Sequence, residues 1–210
     1  SNLEQITIPS SVTSIEECAF EDCSSLKHVT IPSSVTKIED YAFQSCSKLE
    51  QIIIPSSVTS IGHHALRYCY CLKQIDFPTS LTQIPYEICY SCSSLEKVNI
   101  PSSVTSIDNY SFYHCKTLTR ITIPSSVTSI SYNAFDGCYA LTEVSFESPS
   151  SVKSFGSKIF FDCKSLAQIT IPSSLTSIGE EAFSGCKLLS QVSFEAPSSL
   201  TTISKKSFLN

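Results

Sequence analysis

What the chain lacks excludes most function classes before any residue is given a role. No apolar stretch reaches the roughly eighteen residues that a membrane-spanning helix needs. Charged residues make up only 16% of the 210 positions, and the net charge is -5. No basic run or clustered basic face is present, which argues against a nucleic-acid binder and against attachment to an anionic membrane. No signal peptide opens the chain, which begins at Ser1 rather than Met and reads as a mature or cut-down fragment. No G-x-S-x-G, H-E-x-x-H, phosphate-binding loop or dinucleotide fingerprint occurs, so neither an enzyme nor a cofactor is expected. The hydrophobic share of 41% is nevertheless that of a folded protein, and with so little charge its exterior must be built from Ser and Thr.

What is there is repetition. Pro9, Pro32, Pro55, Pro78, Pro101 and Pro124 stand 23 apart, and Pro149, Pro172 and Pro197 follow at steps of 25, 23 and 25. The longer steps come from two extra residues in Phe146-Glu147-Ser148-Pro149 and in Phe194-Glu195-Ala196-Pro197. Cys23, Cys46, Cys69, Cys92, Cys115, Cys138, Cys163 and Cys186 obey the same rule. Aligned on these marks, the unit reads L-x-x-I-x-I-P-S-S-V-T-S-I-x-x-x-A-F-x-x-C-x-x.

The columns carry a physical meaning. In L-x-x-I-x-I the last two apolar residues alternate with a polar one, the period of a half-buried strand. Pro ends the strand because it has no N–H for the ladder. V-T-S-I predicts a second, shorter extended segment with Val and Ile inward. The x-x-x-A-F-x-x-C stretch predicts a short helix or 3₁₀ piece with Ala, Phe and Cys inward. Each unit would be one turn of a solenoid whose apolar residues stack on its neighbours.

The unit Ile123-Pro124-Ser125-Ser126-Val127-Thr128-Ser129-Ile130, followed by Ala134-Phe135 and Cys138, closely resembles the BspA-like leucine-rich repeat family. The resemblance covers essentially the whole chain. It implies an α/β fold: a right-handed solenoid of about nine repeats, with parallel strands on the concave face and short helix or 3₁₀ segments on the convex side. One solenoid domain over residues 1–210 is expected, as part of a longer chain, since neither end shows a polar capping repeat. The resemblance also implies a secreted or cell-surface location and adhesion to a host or matrix protein of the fibronectin or fibrinogen type. The Ile-Pro-Ser-Ser-Val-Thr flavour resembles the protist branch of the family. One unit departs from the pattern: Ile88-Cys89 replaces Ala-Phe, and Pro85 stands where the short helix should begin.

Eleven Cys in a secreted chain usually signal disulfides. Here eight share one inward column, where a thiol acts as a small hydrophobe, and bridging them would pinch the repeats together in pairs. Cys89 falls in the Phe column and should be buried, whereas Cys18 and Cys71 fall in outward slots. Zinc binding by Cys69, Cys71, His63 and His64 has the wrong spacing for a structural site, so no metal is expected.

Function should sit in outward columns that vary. Two strand columns are near-uniform Gln and Thr or Ser at the ends but contain His28, Ile53, Asp76, Lys97, Asn99, Arg120 and Glu143 in the middle. These are the candidates for a concave protein-binding face, against drift on a solvated sheet. All nine Tyr lie between positions 41 and 139. Tyr41, Tyr86, Tyr90, Tyr110, Tyr113 and Tyr132 form a second, convex candidate, against stacking that only stabilises the solenoid. The sequon Asn109-Tyr110-Ser111 lies on that outward side and matters only in a secretory eukaryote. Adhesion competes with a structural spacer, an intracellular scaffold rich in reduced thiols, and self-association through the uncapped ends.

Overall fold

The structure is a computed structural model that describes residues 2–209. Among these residues the chain runs through eighteen short strands, two per repeat. The first strand of each repeat follows the L-x-x-I-x-I pattern: β1 (Gln5–Thr7), β3 (His28–Thr30), β5 (Gln51–Ile53), β7 (Gln74–Asp76), β9 (Lys97–Asn99), β11 (Arg120–Ile123), β13 (Glu143–Phe146), β15 (Gln168–Ile171) and β17 (Gln191–Phe194). The second falls on the end of V-T-S-I: β2 (Ser14–Ile15), β4 (Lys37–Ile38), β6 (Ser60–Ile61), β8 (Gln83–Ile84), β10 (Ser106–Ile107), β12 (Ser129–Ile130), β14 (Ser154–Phe155), β16 (Ser177–Ile178) and β18 (Thr202–Ile203). Like strands of successive repeats pair in parallel, in strict column register, as in Ile6 with Val29 and Val29 with Ile52.

Each ladder is interrupted. The first pairs β1-β3-β5-β7-β9, then β11-β13, then β15-β17; the second pairs β2-β4-β6 and then β8 through β18. The break between β6 and β8 has a simple cause. In most other repeats the residue after the Ile donates its N–H to the preceding coil, as Gly62 does to Ile38 O at 2.8 Å and Asp108 to Ile84 O at 3.0 Å. In the fourth repeat that residue is Pro85, which has no N–H to give Ile61. A hollow of about 200 Å³ lies there, lined by Ser60, Ile61, His63, Gln83 and Pro85 among others.

The expected helix or 3₁₀ segments are absent: no helix occurs among the described residues, so the α/β reading is corrected to a β-solenoid with turns on the side opposite the first ladder. The reason lies in two left-handed residues per repeat, four positions apart. Cys18, Tyr41, His64, Glu87, Tyr110, Asn133, Lys158, Glu181 and Lys206 form one such column, with φ between 50° and 58°. Asp22, Ser45, Tyr68, Ser91, His114, Gly137, Asp162 and Gly185 form the other. A helix requires successive right-handed residues. Each left-handed non-glycine residue costs about 1–2 kcal/mol, and here each except Lys206, in the last coil, donates its N–H to the next coil. Tyr41 reaches His63 O at 3.0 Å, and Ser45 reaches Arg67 O at 2.8 Å. The Phe between them does the same, Phe43 to Ala65 O at 2.9 Å, so the turn side is itself a ladder of cross-coil bonds. Gly137 stands where a Cβ would meet His114 Cδ2 at 2.0 Å.

The core is the stack of consensus columns. Phe112, Phe135, Phe160 and Phe183 are fully buried and lie ring on ring, 5.4–5.6 Å between centroids. Two consensus polar residues also face neighbouring coils. The second Ser of Pro-Ser-Ser donates to the Val or Leu carbonyl one coil earlier, as Ser34 to Val12 O at 2.7 Å and Ser126 to Val104 O at 2.6 Å. The Cys column follows suit: Cys69 Sγ donates to Phe43 O at 3.3 Å and Cys138 Sγ to Phe112 O at 3.3 Å. All eleven cysteines are free thiols. Seven of the column are buried and Cys23 is half-buried; Cys89 is buried, Cys18 exposed and Cys71 half-buried.

Candidate functional site

The strand face presents its variable residues to solvent. His28, Ile53, Asp76, Lys97, Asn99, Arg120 and Glu143 are all exposed, at the first or third position of β3, β5, β7, β9, β11 and β13. The intervening Val29, Ile52, Ile75 and Ile121 are buried, so the pleat fixes this orientation. Ile53 is 68% exposed, and no other strand slot holds so bare an aliphatic side chain among the large apolar residues of this face.

The charged members are loosely held. Gln74 Nε2 donates to Asp76 Oδ2 at 2.6 Å. Arg120 and Glu143 occupy matching positions on β11 and β13, yet among the described residues no ion pair involves Lys97, Arg120 or Glu143. Ile53 and Asp76 line a small notch of about 70 Å³ together with Gln51 and Gln74. A larger depression of about 230 Å³ holds Lys97, Asn99 and Arg120 together with Thr122, Pro124 and Glu147. His28 belongs to a third hollow with Glu50 and Lys73. The seven residues therefore form a strip across six repeats rather than one pocket, as a protein partner would need.

The opposite side carries the aromatic residues, mostly half-buried and packed on one another. Tyr41 stacks on His64 at 4.6 Å between ring centroids, Tyr90 on Tyr113 at 4.6 Å, and Tyr110 meets Tyr132 edge-on at 5.3 Å. Tyr86 sits edge-on to His64 at 5.0 Å and to Tyr110 at 6.1 Å. Burial raises the Tyr110 and Tyr113 hydroxyls to about 12, and hydrogen bonding to Glu87 followed by burial does the same for Tyr86. These rings pack largely on each other, and Tyr132 remains exposed.

Glu87 and Arg67 were missed by reading the columns. Glu87 is buried in a left-handed slot and faces Arg67 Nη1 at 3.1 Å and His64 Nδ1 at 3.2 Å. Arg67 lies between the Tyr68 and Tyr90 rings, 4.6 and 4.7 Å from their centroids. Burial lowers the His64 pKa below the ordinary imidazole value, with Glu87 opposing the shift. Glu87 and Arg67 both fall in variable slots of the repeat, one just before the Ala column and one just after the Phe column, where the pattern gives no signal. This trio, with Glu87 buried and His64 and Arg67 half-buried, ties coils three and four together across the break at Pro85.

Among the described residues no cluster of three or more His, Cys, Asp or Glu could hold a metal. No helix there is long and apolar enough to cross a membrane. In the sequon, Asn109 Oδ1 accepts the Tyr132 N–H at 3.0 Å and Ser111 is fully buried, so both residues are tied into the coil-to-coil contact.

Comparison with known proteins places these features in a wider group. Residues 1–119 and 105–210 match the model for the BspA type leucine rich repeat region, in six copies. No match was found among curated proteins. Among solved structures, a leucine-rich repeat protein from Bacteroides ovatus aligns with a TM-score of 0.73 and 28% identity, over 98% of this chain and 64% of that one. The leucine-rich repeat protein of T. pallidum aligns with a TM-score of 0.71 and 29% identity, over 90% of this chain and 79% of that one. A leucine rich cell surface protein from Faecalibacterium prausnitzii aligns with a TM-score of 0.67 and 26% identity, over 95% and 83%. These relatives are bacterial, and the protist branch read from Ile-Pro-Ser-Ser-Val-Thr finds no support among them.

Proposed function

Because the chain belongs to the BspA-type leucine-rich repeat family, we propose that it is a non-enzymatic cell-surface protein that binds a host or matrix protein through the strand face of its solenoid. The observation that carries this reading is the strip of exposed, non-uniform residues on β3 to β13, flanked by monotonous slots such as Gln168, Thr170, Gln191 and Ser193. A solvated sheet edge has no need of particular side chains, whereas a partner does. Cell-surface placement draws on the description of the Faecalibacterium prausnitzii relative. Fibronectin- and fibrinogen-type proteins are the first partners to test, by family resemblance. A second reading, a spacer that holds other domains apart, is favoured by the uniform Gln and Thr or Ser slots of the last two repeats.

The test is binding of the purified chain to a panel of matrix and plasma proteins at physiological salt, beside the triple variant Asp76→Ala, Lys97→Ala, Arg120→Ala. Saturable binding that the triple variant loses supports adhesion through the strand face. Binding kept by the variant moves the site to the aromatic side. No binding at all favours the spacer.

A further inference from the structure

The first ladder should run unbroken wherever the repeat keeps its 23-residue step. Between β13 and β15 it stops where two residues are inserted, at Phe146-Glu147-Ser148-Pro149. Between β9 and β11 there is no insertion, yet the strands do not pair. The cross-coil bond that precedes each strand shows the same lapse. Lys27 N donates to Glu4 O at 2.8 Å, Glu50 N to Lys27 O at 3.2 Å, Lys73 N to Glu50 O at 3.3 Å and Glu96 N to Lys73 O at 2.8 Å. The next member, Thr119 to Glu96, is missing.

What sets this junction apart is its side chains. Lys97 and Arg120 occupy the same column on adjacent coils, about 4.8 Å apart in a regular sheet, and like charges placed opposite one another are destabilising. Neither side chain has a hydrogen bond or ion pair among the described residues. Between them opens the depression of about 230 Å³, with Asn99 and Thr122 on its floor.

We infer that this seam seats the carboxylate of an acidic residue in an extended segment of the partner. The inference rests on the strand-face reading and names the chemistry of that site. Arg120 offers a planar fork suited to two carboxylate oxygens, Lys97 a mobile point charge, and Asn99 and Thr122 neutral donors. The surroundings select a single carboxylate over a polyanion. Asp76, Glu96, Glu143 and Glu147 all lie on the same or adjoining coils, and a sulfated polysaccharide with repeated charge would meet them as well as the two cations. Ile53 supplies the apolar anchor, bare to solvent two coils before Lys97. From Ile53 to the seam is about 12 Å along the stack, which an extended peptide spans in about three to four residues. The segment recognised is therefore an apolar residue followed or preceded at that distance by Asp or Glu.

The test is selection of short peptides from a random displayed library on the whole chain, with affinities read by fluorescence anisotropy. Selected peptides should pair an acidic with an apolar residue at that spacing. Lys97→Glu/Arg120→Glu should weaken them at least about tenfold, and exchanging the peptide acid for Lys should restore binding to that variant. Both side chains are exposed, and unchanged circular dichroism confirms folding. Lys97→Glu alone, which sets opposite charges across the seam, should also lose the peptides. Peptides without an acid, peptides indifferent to charge reversal, failure to select any peptide, or preference for heparin would each overturn the inference. If a panel protein binds and ignores the charge reversal, the seam fails while the adhesive reading stands. If acidic peptides bind at the seam and no panel protein binds, the seam stands and the choice of host or matrix partner falls.

Discussion

Replacing Cys138 separates two accounts of the cysteine column. The residue is fully buried, and its Sγ donates to Phe112 O at 3.3 Å. That carbonyl also accepts the Cys115 N–H at 3.3 Å, so removing the thiol does not orphan it. Cys138→Ala deletes one buried heavy atom, and the lost transfer energy and small void together cost about 1–1.5 kcal/mol, as for a single buried methylene. Loss of a weak S–H donor adds a few tenths of a kcal/mol, roughly. Cys138→Ser keeps the shape and puts a stronger donor against the same carbonyl. If the column is a hydrogen-bonded ladder, Ser should cost less than about 1 kcal/mol and less than Ala, because the buried hydroxyl is satisfied. If the thiol serves only as a small hydrophobe, Ser should be the worse substitution, by about 1–3 kcal/mol for burying a hydroxyl without compensation. The fold already holds hydroxyls this way in the neighbouring column, where fully buried Ser111 donates to Pro85 O at 3.0 Å and Ser207 to Gly179 O at 3.0 Å. Urea unfolding of the three proteins under reducing conditions reads the difference. A Ser variant less stable than the Ala variant by about 1 kcal/mol or more refutes the ladder.

Two further outcomes follow from charges held at a cost. Burial first, and Asp162 second, push Asp136 from an ordinary 3.8 to about 7, so the folded chain holds this proton more tightly than the unfolded chain does. The associated stability is complete below about pH 4 and is lost as pH rises through about 7, with a slope of at most about 1.4 kcal/mol per pH unit; Asp136→Asn should flatten urea midpoints measured across that window, and an unchanged slope would clear Asp136 of the effect. Lys97→Gln/Arg120→Gln, which restores the side chain used at the same slot by Gln51 and Gln74, should raise stability by a few tenths of a kcal/mol up to about 1, and a lower urea midpoint would mean that like-charge repulsion is not what parts β9 from β11.

The inward columns were legible because stacking demands the same answer nine times. Leu, Ile and Val at fixed offsets gave the strands, their register and the buried face, and Val-Thr-Ser-Ile gave the second ladder. The turn side was not legible by the same route. Ala-Phe-x-x-Cys spacing suits one face of a helix, and periodicity alone cannot show that every second N–H in that stretch bonds to another coil. A local signal was available: Asp22, Asn133, Gly137, Asp162, His64 and His114 occupy the two left-handed columns, and these are residue types that tolerate φ > 0. The second Ser of Pro-Ser-Ser belongs to the Ser-rich exterior that composition suggests, yet its hydroxyl bonds the coil before it. Glu87 and Arg67 drew no notice in their variable slots, yet adjacency across coils turns a 20-residue separation into 3.1 Å.

The exposed strip was legible as variation, and the ladder adds that part of it coincides with a lapse in strand pairing. In a solenoid each coil depends on its neighbours for backbone hydrogen bonds, so a departure from the consensus acts at a junction rather than at a residue. Pro85 opens the second ladder by lacking an N–H, and the ion pair of buried Glu87 with half-buried Arg67 joins the same two coils. The first ladder lapses between the strands that carry Lys97 and Arg120, and among the described residues neither cation has an ion pair. The Gln slots before them show that a neutral side chain serves the fold at this column. If two adjacent cations there lower stability, with no ion pair among the described residues to offset them, an external partner explains them better than the fold does.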